Sequence, residues 1–490
     1  MATHYLACDF GAESGRLMLG TLSENGKLSL EELHRFPNLP IETPEYLCWD
    51  IDSLWVEVRK GLKIAGDRGI SISSISVDGW GVDYVLLDEK GEIISPTHCY
   101  RDKRNQRGVD NIFSKVPWEE VYQESGVQFL NFNTLYQLGA ETPGRLEAAK
   151  TILPLGDAFN YLLCGQARSE ISMASTTSMY NPRNSDWSEK LLSAANVRPG
   201  QIAPLVESGT PLAKLKPELA EESGLGDIQV VATCSHDTGA AVAAVPAVGE
   251  DWAYLSSGTW SLIGVELDKP QISDQSREHN YTHEIGHGNT IRFLRNIIGL
   301  WIVQECRRNW EKQGTTYDYA TLAKLATEAE PFRSLINPDD QRFFCPESML
   351  DAISGFCRET GQPEPDSPGA FARCALESLA LVYRSHLADA GELTGKKISK
   401  LHIVGGGSQN KLLNQLAANA TGRQVIAGPT EATALGNIAV QAIAQGHVHD
   451  LAEARRIIRD SMDVEVYEPQ DADLWETAYR RFLGLVENSS

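Results

Sequence analysis

The sequence predicts an α/β protein with two domains, and three observations support this. The chain has 490 residues, well beyond the about 250–300 at which a single hydrophobic core stops growing. Strand patterns alternate with helix patterns along the chain, as they do in α/β proteins. A strand, a glycine turn and a second strand open the chain and recur near its middle, which indicates an internal duplication. We therefore predict domains 1–246 and 247–490.

The two predicted hairpins share one pattern. In the first, a turn with Gly11 and Gly15 follows the strand 5–8; in the second, Gly258 follows the strand 254–257. Glycine lets the backbone approach a phosphate closely and direct its N–H groups at it. A single turn of this kind is ordinarily only structural. Several together favour a nucleotide site.

Periodicity predicts the remaining elements that the argument uses. Strands are predicted at 74–78, 84–87, 228–232 and 401–404, and helices at 369–390 and 411–421. The glycine run 405–407 separates the last strand from the last helix, and Gly422 ends that helix. This third glycine turn suits a flat base or a ribose.

Composition limits the partners. The chain carries 66 acidic and 44 basic residues, a net charge of −22, which disfavours nucleic acid and anionic membrane surfaces. The sequence contains neither a run of 18 apolar residues nor a signal-peptide pattern at its start, so we expect a cytoplasmic protein. The nine cysteines are scattered without a Cys-x-x-Cys pair, which argues against structural zinc.

Asp237 is the first candidate for chemistry. It follows the predicted strand 228–232 and precedes the small-residue run 240–244, so it lies at a strand-to-helix turn. Such turns open toward the edge of the sheet where α/β proteins bind ligands, and the helix start supplies free N–H groups for an anion. The alternative is that Asp237 only caps the following helix.

Asp9 is the candidate metal ligand. It ends the first strand, where a carboxylate can hold Mg²⁺ directly or through water. The alternative is a carboxylate that caps the turn. The chain has no Gly-x-x-x-x-Gly-Lys-Ser/Thr sequence and no His-Arg-Asp kinase loop, so the two commonest phosphoryl-transfer motifs are excluded.

Other polar residues leave alternatives open. Asp78 and Asp83 are both plausible acceptors for sugar hydroxyls, and strand alternation does not decide between them. Trp80 either stacks on an apolar sugar face or belongs to the core. The segment 279–288 spaces three histidines by four residues, but its asparagine and glycines are poor helix formers, so we predict a loop rather than a metal-binding helix face.

Taken together, these residues resemble the FGGY carbohydrate kinases of the actin-like ATPase superfamily, over nearly the whole chain. The resemblance is carried by residues 9–16, 80–83, 132–137, 235–238, 255–261 and 402–407. It implies two ribonuclease H-like domains with a central cleft. It also implies ATP-dependent, Mg²⁺-requiring phosphorylation of the 1-hydroxyl of L-rhamnulose.

The resemblance also assigns roles to residues. It makes Asp237 the general base. It places the sugar at Gly81, His236, Asp237, Thr238 and Asn296, and ATP at Ala12, Glu13, Ser14, Gly15, Arg16, Thr259, Gln304 and Gly406. Glu13 departs from the small or hydroxyl residue that the pattern predicts, and its carboxylate would repel a phosphate unless it points away.

Two other functions remain open from the sequence. A related ketose kinase, acting on L-fuculose or D-xylulose, would share the phosphate machinery and differ in a few pocket contacts. A non-catalytic actin-like nucleotide-binding module would share the fold alone. The sequence leaves the oligomeric state undecided.

Overall fold

The structure is a computed structural model that describes residues 2–11 and 13–487. Its strands, in chain order, are β1 (Thr3–Phe10), β2 (Ser14–Leu22), β3 (Leu28–Pro37), β4 (Ile41–Glu42), β5 (Leu47–Trp49), β6 (Ile72–Gly79), β7 (Tyr84–Leu87), β8 (Thr97–His98), β9 (Thr151–Pro154), β10 (Ser169–Glu170), β11 (Tyr180–Asn181), β12 (Asp186–Trp187), β13 (Leu205–Val206), β14 (Thr210–Lys214), β15 (Gln229–Ala232), β16 (Trp252–Ser257), β17 (Trp260–Leu267), β18 (Thr282–Ile285), β19 (Ile291–Ile298), β20 (Lys400–Val404), β21 (Gln424–Ala427) and β22 (Glu465–Tyr467).

The helices, in chain order, are α1 (Ile51–Asp67), α2 (Asn105–Phe113), α3 (Trp118–Ser125), α4 (Thr134–Gly139), α5 (Pro143–Ala148), α6 (Leu155–Cys164), α7 (Ile171–Ala174), α8 (Glu189–Ala194), α9 (Pro217–Ser223), α10 (Asp237–Ala243), α11 (Asp274–Glu278), α12 (Trp301–Lys312), α13 (Tyr319–Glu328), α14 (Met349–Glu359), α15 (Pro368–Thr394), α16 (Lys411–Thr421), α17 (Ala432–Ala444), α18 (Leu451–Ser461) and α19 (Ala472–Glu487). Short 3-10 turns occur at His287–Asn289, Gln341–Phe343 and Gly406–Gln409.

The chain divides into two compact units. The first unit comprises Met1–Pro246, Glu266–Phe293 and Ala432–Met462, and the second comprises Ala247–Val265, Leu294–Glu431 and Asp463–Ser490. The chain first passes from the first unit to the second after Pro246, and two later segments belong to the first unit again. The division into 1–246 and 247–490 treats each domain as one continuous segment. It remains a prediction.

The first unit is built on a six-stranded sheet in the order β14-β15-β6-β1-β2-β3. Strands β1 and β2 form an antiparallel hairpin, while β1, β6 and β15 run parallel. The inner strands β1 and β6 are buried along almost their whole length, as expected for parallel strands covered on both faces. The hairpin predicted at the start of the chain is confirmed.

Helices cover both faces of this sheet. A Cβ at Gly61 of α1 would lie 3.0 Å from the Leu17 side chain. A Cβ at Gly20 would lie 2.4 Å from the Ile438 side chain of α17. Positions 17 and 20 alternate to opposite faces of β2. Helices α1 and α17 therefore pack on opposite faces of the sheet.

The second unit repeats this arrangement. Strands β19, β17, β16, β20, β21 and β22 are consecutive in its sheet. The antiparallel hairpin β16–β17 is followed by parallel β20 and β21 and an antiparallel edge strand β22. In the first unit the equivalent order is the hairpin β1–β2, then β6, β15 and the antiparallel edge β14. The shared order supports an internal duplication.

Local signals set the long helices of the second unit. Helix α15 begins at Ser367, whose side chain accepts the N–H of Ala370, and has Pro368 in its first turn. It ends at Gly395, and α16 ends at Gly422, both with left-handed backbone. The predicted helices 369–390 and 411–421 are confirmed.

One sequence expectation is wrong in part. The segment 279–288 was expected to be a loop, but Thr282–Ile285 forms strand β18 with every residue buried. The β-branched Thr282 and Ile285 favour an extended chain. Separately, among the described helices none is both long enough and apolar enough to cross a membrane.

Candidate active site

Asp237 lies at the first position of α10, in the first unit. His236 occupies the capping position before the helix and makes no side-chain capping bond. The carboxylate of Asp237 binds the adjacent Thr238 N–H instead of an N–H one turn into the helix. The side chain of Asp237 is 29% exposed. The capping interpretation therefore does not describe Asp237, whose carboxylate remains accessible.

The contacts of Asp237 fall on one oxygen. Oδ1 accepts the backbone N–H of Thr238 and the Thr238 hydroxyl at 3.1 Å, and it lies 3.4 Å from Nε2 of His236. Oδ2 of Asp237 makes no hydrogen bond or ion pair with the described residues. Oδ1 anchors the carboxylate, and Oδ2 is left to accept a proton.

Electrostatics make Asp237 a stronger base than a free aspartate. Burial raises the pKa of the Asp237 carboxyl, and the negative charge of Asp9 adds to the rise. The neighbouring His236 ring and the hydrogen bonds from Thr238 oppose it. A raised pKa improves a carboxylate as a proton acceptor as long as it stays ionised.

Asp9 faces a neighbouring acid across the sheet. It pairs in register with Asp78 on β6 and with Arg16 on β2, whose guanidinium forms an ion pair with it. Burial and the charge of Asp9 raise the pKa of Asp78 well above its usual range. The Asn437 amide donates to Asp78 Oδ2 at 2.6 Å, while the buried Oδ1 has no hydrogen-bond partner in the described chain.

These carboxylates fit a magnesium ion. Mg²⁺ prefers oxygen ligands, takes one or two carboxylates and keeps several waters. Asp9 supplies one such carboxylate, and Asp78 lies beside it on β6. The described residues contain no group of three potential ligands for a metal that needs a full protein cage. Asp9 as the metal ligand remains a prediction.

The sugar candidates Gly81 and His236 are brought together. Strand β6 ends beside the turn before α10, where the Gly79 N–H donates to the Ser235 carbonyl at 2.9 Å. A Cβ at Gly81 would lie 3.2 Å from Nε2 of His236 and 3.1 Å from the Thr176 hydroxyl. Gly81 thus keeps the space beside the His236 ring open. Thr238 follows directly on Asp237 and is buried.

Two charged residues that sequence reasoning missed lie behind His236. Arg292 is fully buried and donates to Nδ1 of His236 at 3.1 Å. Glu284 lies 3.0 Å from Arg292 and 3.3 Å from the same nitrogen. Although burial acts to raise the pKa of Glu284, the charge of Arg292 holds it below its usual range. A charged residue inside an apolar strand run, as in Ile291-Arg292-Phe293, was the available signal.

Asp83 is a structural centre rather than a sugar ligand. Its Oδ2 accepts the indole N–H of Trp49 at 2.6 Å and of Trp80 at 2.8 Å, and its Oδ1 accepts the Gln137 amide at 2.9 Å. The two indole rings pack 4.6 Å apart. With both oxygens occupied, Asp83 positions the tryptophans. Asp78 is likewise buried, and the Asn437 amide binds one of its oxygens.

The first glycine turn is held together by its own backbone. The Gly11 N–H donates to the Ser14 carbonyl at 2.9 Å, and Asn38 binds the carbonyls of Gly11 and Glu13. A Cβ at Gly15 would collide with the Phe36 ring. Arg16 pairs with Asp9 as described above. Ala12 lies outside the described residues, and nucleotide contacts by Glu13 to Arg16 stay predictions.

In the second unit, the turn that contains Thr259 is bonded to the start of α12, the helix that contains Gln304. The Thr259 carbonyl accepts the N–H groups of Gly299 and Trp301 at 3.2 and 3.1 Å, which ties the β16–β17 turn to the start of α12. Gln304 lies in the first turn of that helix. Its buried Oε1 has no hydrogen-bond partner among the described residues, which leaves it free to bind a ligand.

The third glycine turn lies beside the same hairpin. Strands β16 and β20 pair in parallel, and a Cβ at Gly407 would lie 2.0 Å from the Ser257 hydroxyl. A Cβ at Gly406 would meet nothing within 4 Å, so the backbone there borders open space that a ligand can fill. Asn296 lies on β19 and is half-buried.

Comparison with protein families matches nearly the whole chain. Residues 4–244 match the N-terminal domain of the FGGY family of carbohydrate kinases. Residues 253–445 match the C-terminal domain of the same family. Each match contains one of the two predicted glycine hairpins.

Individual proteins agree with this match. The chain is 44% identical to the rhamnulokinase of Bacteroides thetaiotaomicron over 489 residues, covering 99% of this chain and 100% of the relative. It is 42% identical to the rhamnulokinase of Bacillus subtilis over 469 residues, covering 96% of each chain. The crystal structure of a ligand-bound xylulose kinase from Lactobacillus acidophilus superposes with a TM-score of 0.80 at 16% identity, covering 99% of this chain and 98% of that one. The predicted two-domain α/β fold class is confirmed.

Proposed function

The chain belongs to the FGGY family of carbohydrate kinases, and from that premise we propose that it phosphorylates the 1-hydroxyl of L-rhamnulose, with ATP as the phosphoryl donor. The family makes the protein a phosphotransferase. The substrate is proposed because rhamnulokinases at 44% and 42% identity match the chain from end to end. The solved structures are too distant to bear on the choice of sugar.

The observation that carries the proposed mechanism is the asymmetric Asp237 carboxylate. Oδ1 is held by Thr238 and faces His236, while Oδ2 makes no hydrogen bond or ion pair with the described residues. We propose that Oδ2 accepts the proton of the sugar hydroxyl as that hydroxyl attacks the γ-phosphorus of ATP. Positioning and charge neutralisation supply most of the catalysis in phosphoryl transfer, so the proton moves late.

The remaining candidates divide between sugar and nucleotide. We propose that Gly81, His236, Thr238 and Asn296 bind the sugar and that the turn 11–16, Thr259, Gln304 and Gly406 bind ATP. Kinases of this family use ATP with Mg²⁺, and the ion would neutralise charge on the phosphate oxygens. Asp9 would hold it, with Asp78 alongside. The partners are a ketose and ATP, without nucleic acid or membrane, and the location is cytoplasmic.

A panel of ketoses tests the substrate. The purified protein is assayed with MgATP and L-rhamnulose, L-fuculose, D-xylulose or no sugar, with ADP release coupled to NADH oxidation. We expect kcat/KM to be at least about 100-fold higher for L-rhamnulose, and the product to be a 1-phosphate by ³¹P NMR. Preference for another ketose would overturn the proposed substrate while leaving the kinase class intact.

A further inference from the structure

We infer that Arg292 and Glu284 form a positioning pair that fixes which ring nitrogen of His236 carries the proton. The pair keeps the proton on Nε2, so that an N–H of His236 rather than a lone pair faces Oδ1 of Asp237. The inference rests on the proposed function, because Asp237 is the proposed base. It gives a role to the buried charges of Arg292 and Glu284, for which we propose no contact with the substrate.

The first step concerns Nδ1 of His236. Arg292 is fully buried, and its Nη2 approaches Nδ1 at 3.1 Å with hydrogen-bond geometry. Its Nε donates to the Ile285 carbonyl at 3.1 Å, which fixes the plane of the guanidinium. Arginine has only donors and stays protonated in proteins. Nδ1 is therefore the acceptor, and the proton of the neutral ring lies on Nε2.

The second step concerns the other side of the ring. Nε2 lies 3.4 Å from Oδ1 of Asp237, the oxygen that already accepts both groups of Thr238. A proton on Nε2 makes this contact attractive, whereas a lone pair on Nε2 would face a carboxylate. The two hydrogen bonds from Thr238 and this contact hold the carboxylate against rotation. Oδ2 is then kept in the position where a sugar hydroxyl can reach it.

The third step explains Glu284. Its carboxylate lies 3.0 Å from Arg292 and is almost fully buried, so it neutralises a cation that would otherwise be buried alone. Its Oε2 is also 3.3 Å from Nδ1 of His236, which offers a second possible arrangement. In that arrangement Nδ1 would carry a proton toward Glu284. The same proton would point at the Arg292 donor, so the arrangement with a bare Nδ1 is favoured.

Nitrogen NMR of the wild-type protein tests the inference without any substitution. The protein is labelled with ¹⁵N-histidine and measured at pH 8, and His236 is assigned by the signal lost in His236→Gln. We expect a protonated Nε2 and an unprotonated Nδ1. A protonated Nδ1, alone or together with Nε2, would overturn the inference, whatever sugar the enzyme uses.

Two variants test the consequence for catalysis. Arg292→Lys keeps the charge but loses the planar donor, and Glu284→Gln removes the charge that holds Arg292. We expect a mixture of ring tautomers and a loss of kcat on the order of tenfold in each, with KM for ATP unchanged. The matched controls are Arg104→Lys and Glu141→Gln, which alter a buried pair at 3.2 Å in the same unit that does not contact His236.

Failure of this inference and failure of the proposed function give different results. Wild-type tautomer and wild-type kcat in both variants would contradict the inference. If Arg292→Lys fails to fold, the Glu284→Gln variant and the wild-type spectrum still decide it. Absence of rhamnulose turnover in the wild-type protein would overturn the proposed function. It would not affect the inference that Nε2 of His236 carries the ring proton.

Discussion

Removing the charge of Asp83 should change how the stability of the protein depends on pH. Burial raises the pKa of Asp83 from 3.8 to about 6, although hydrogen bonds from Trp80, Gln137 and Trp49 oppose the rise. Folding therefore favours the protonated carboxyl. The stability that this proton contributes is complete below pH 3.8 and is lost as the pH rises through about 6.

The size of the effect follows from the change in pKa. At about 1.4 kcal/mol for each tenfold change in the protonation equilibrium, the full loss is about 3 kcal/mol. Between pH 5 and pH 7.5 the two titration curves give about 1.4 kcal/mol of that loss. Asp83→Asn keeps the side-chain volume and does not titrate, so it should lack this part of the pH dependence.

Two assays measure it. Urea unfolding of the wild type and of Asp83→Asn at pH 5 and pH 7.5 gives the difference in free energy directly. Tryptophan fluorescence of the folded protein should titrate with a midpoint near 6 in the wild type only, because Trp49 and Trp80 donate to this carboxylate. The exposed Asp110 provides the control, Asp110→Asn. Identical pH dependence in wild type and Asp83→Asn would refute the argument.

Two glycines give further predictions. A Cβ at Gly436 of α17 would lie 1.8 Å from the Ala240 carbonyl oxygen, so Gly436→Ala should displace α10, lower kcat at least about tenfold and cost about 1–3 kcal/mol by thermal unfolding. Gly355→Ala, in an open position of α14, is its control, and unchanged kcat in Gly436→Ala would contradict the proposed role of α10. Because Gly406 borders open space, Gly406→Ala should fold normally yet raise KM for ATP about tenfold, with KM for the sugar unchanged. Gly144→Ala, which also meets nothing within 4 Å, should change neither constant, and an unaltered KM for ATP in Gly406→Ala would exclude Gly406 from the nucleotide site.

The sequence predicted the parts of the fold that depend on local pattern. The hairpin turns, the strand before Asp237 and the helix that follows it are recognised by alternation, glycine placement and small residues. Both ends of helix α15 lie within a few residues of the predicted bounds. Ser367 caps its first turn and Gly395 ends it with left-handed backbone, and both effects are local in sequence. Strand β18 was missed because its run of four residues is short and is followed by Gly286 and Gly288, although Thr282 and Ile285 are β-branched.

The candidate site was predictable only where a residue with suitable chemistry lies at a turn that the local sequence indicates. Asp237 and Asp9 stand at the ends of strands, which sequence pattern can locate. Arg292 reaches His236, and Asn437 reaches Asp78, from distant segments. No local signal predicts a contact across more than fifty residues. The choice between Asp78 and Asp83 as sugar ligands likewise depended on hydrogen-bond partners that only the folded chain supplies.

The turnover of Asp237→Asn tests the central claim most directly. The substitution keeps the shape of the side chain and removes the proton acceptor. We predict that kcat with L-rhamnulose falls at least about 100-fold while the affinity for ATP, measured by calorimetry, changes little. Near-normal kcat in this variant would contradict the account, because some other group would then have to take the proton.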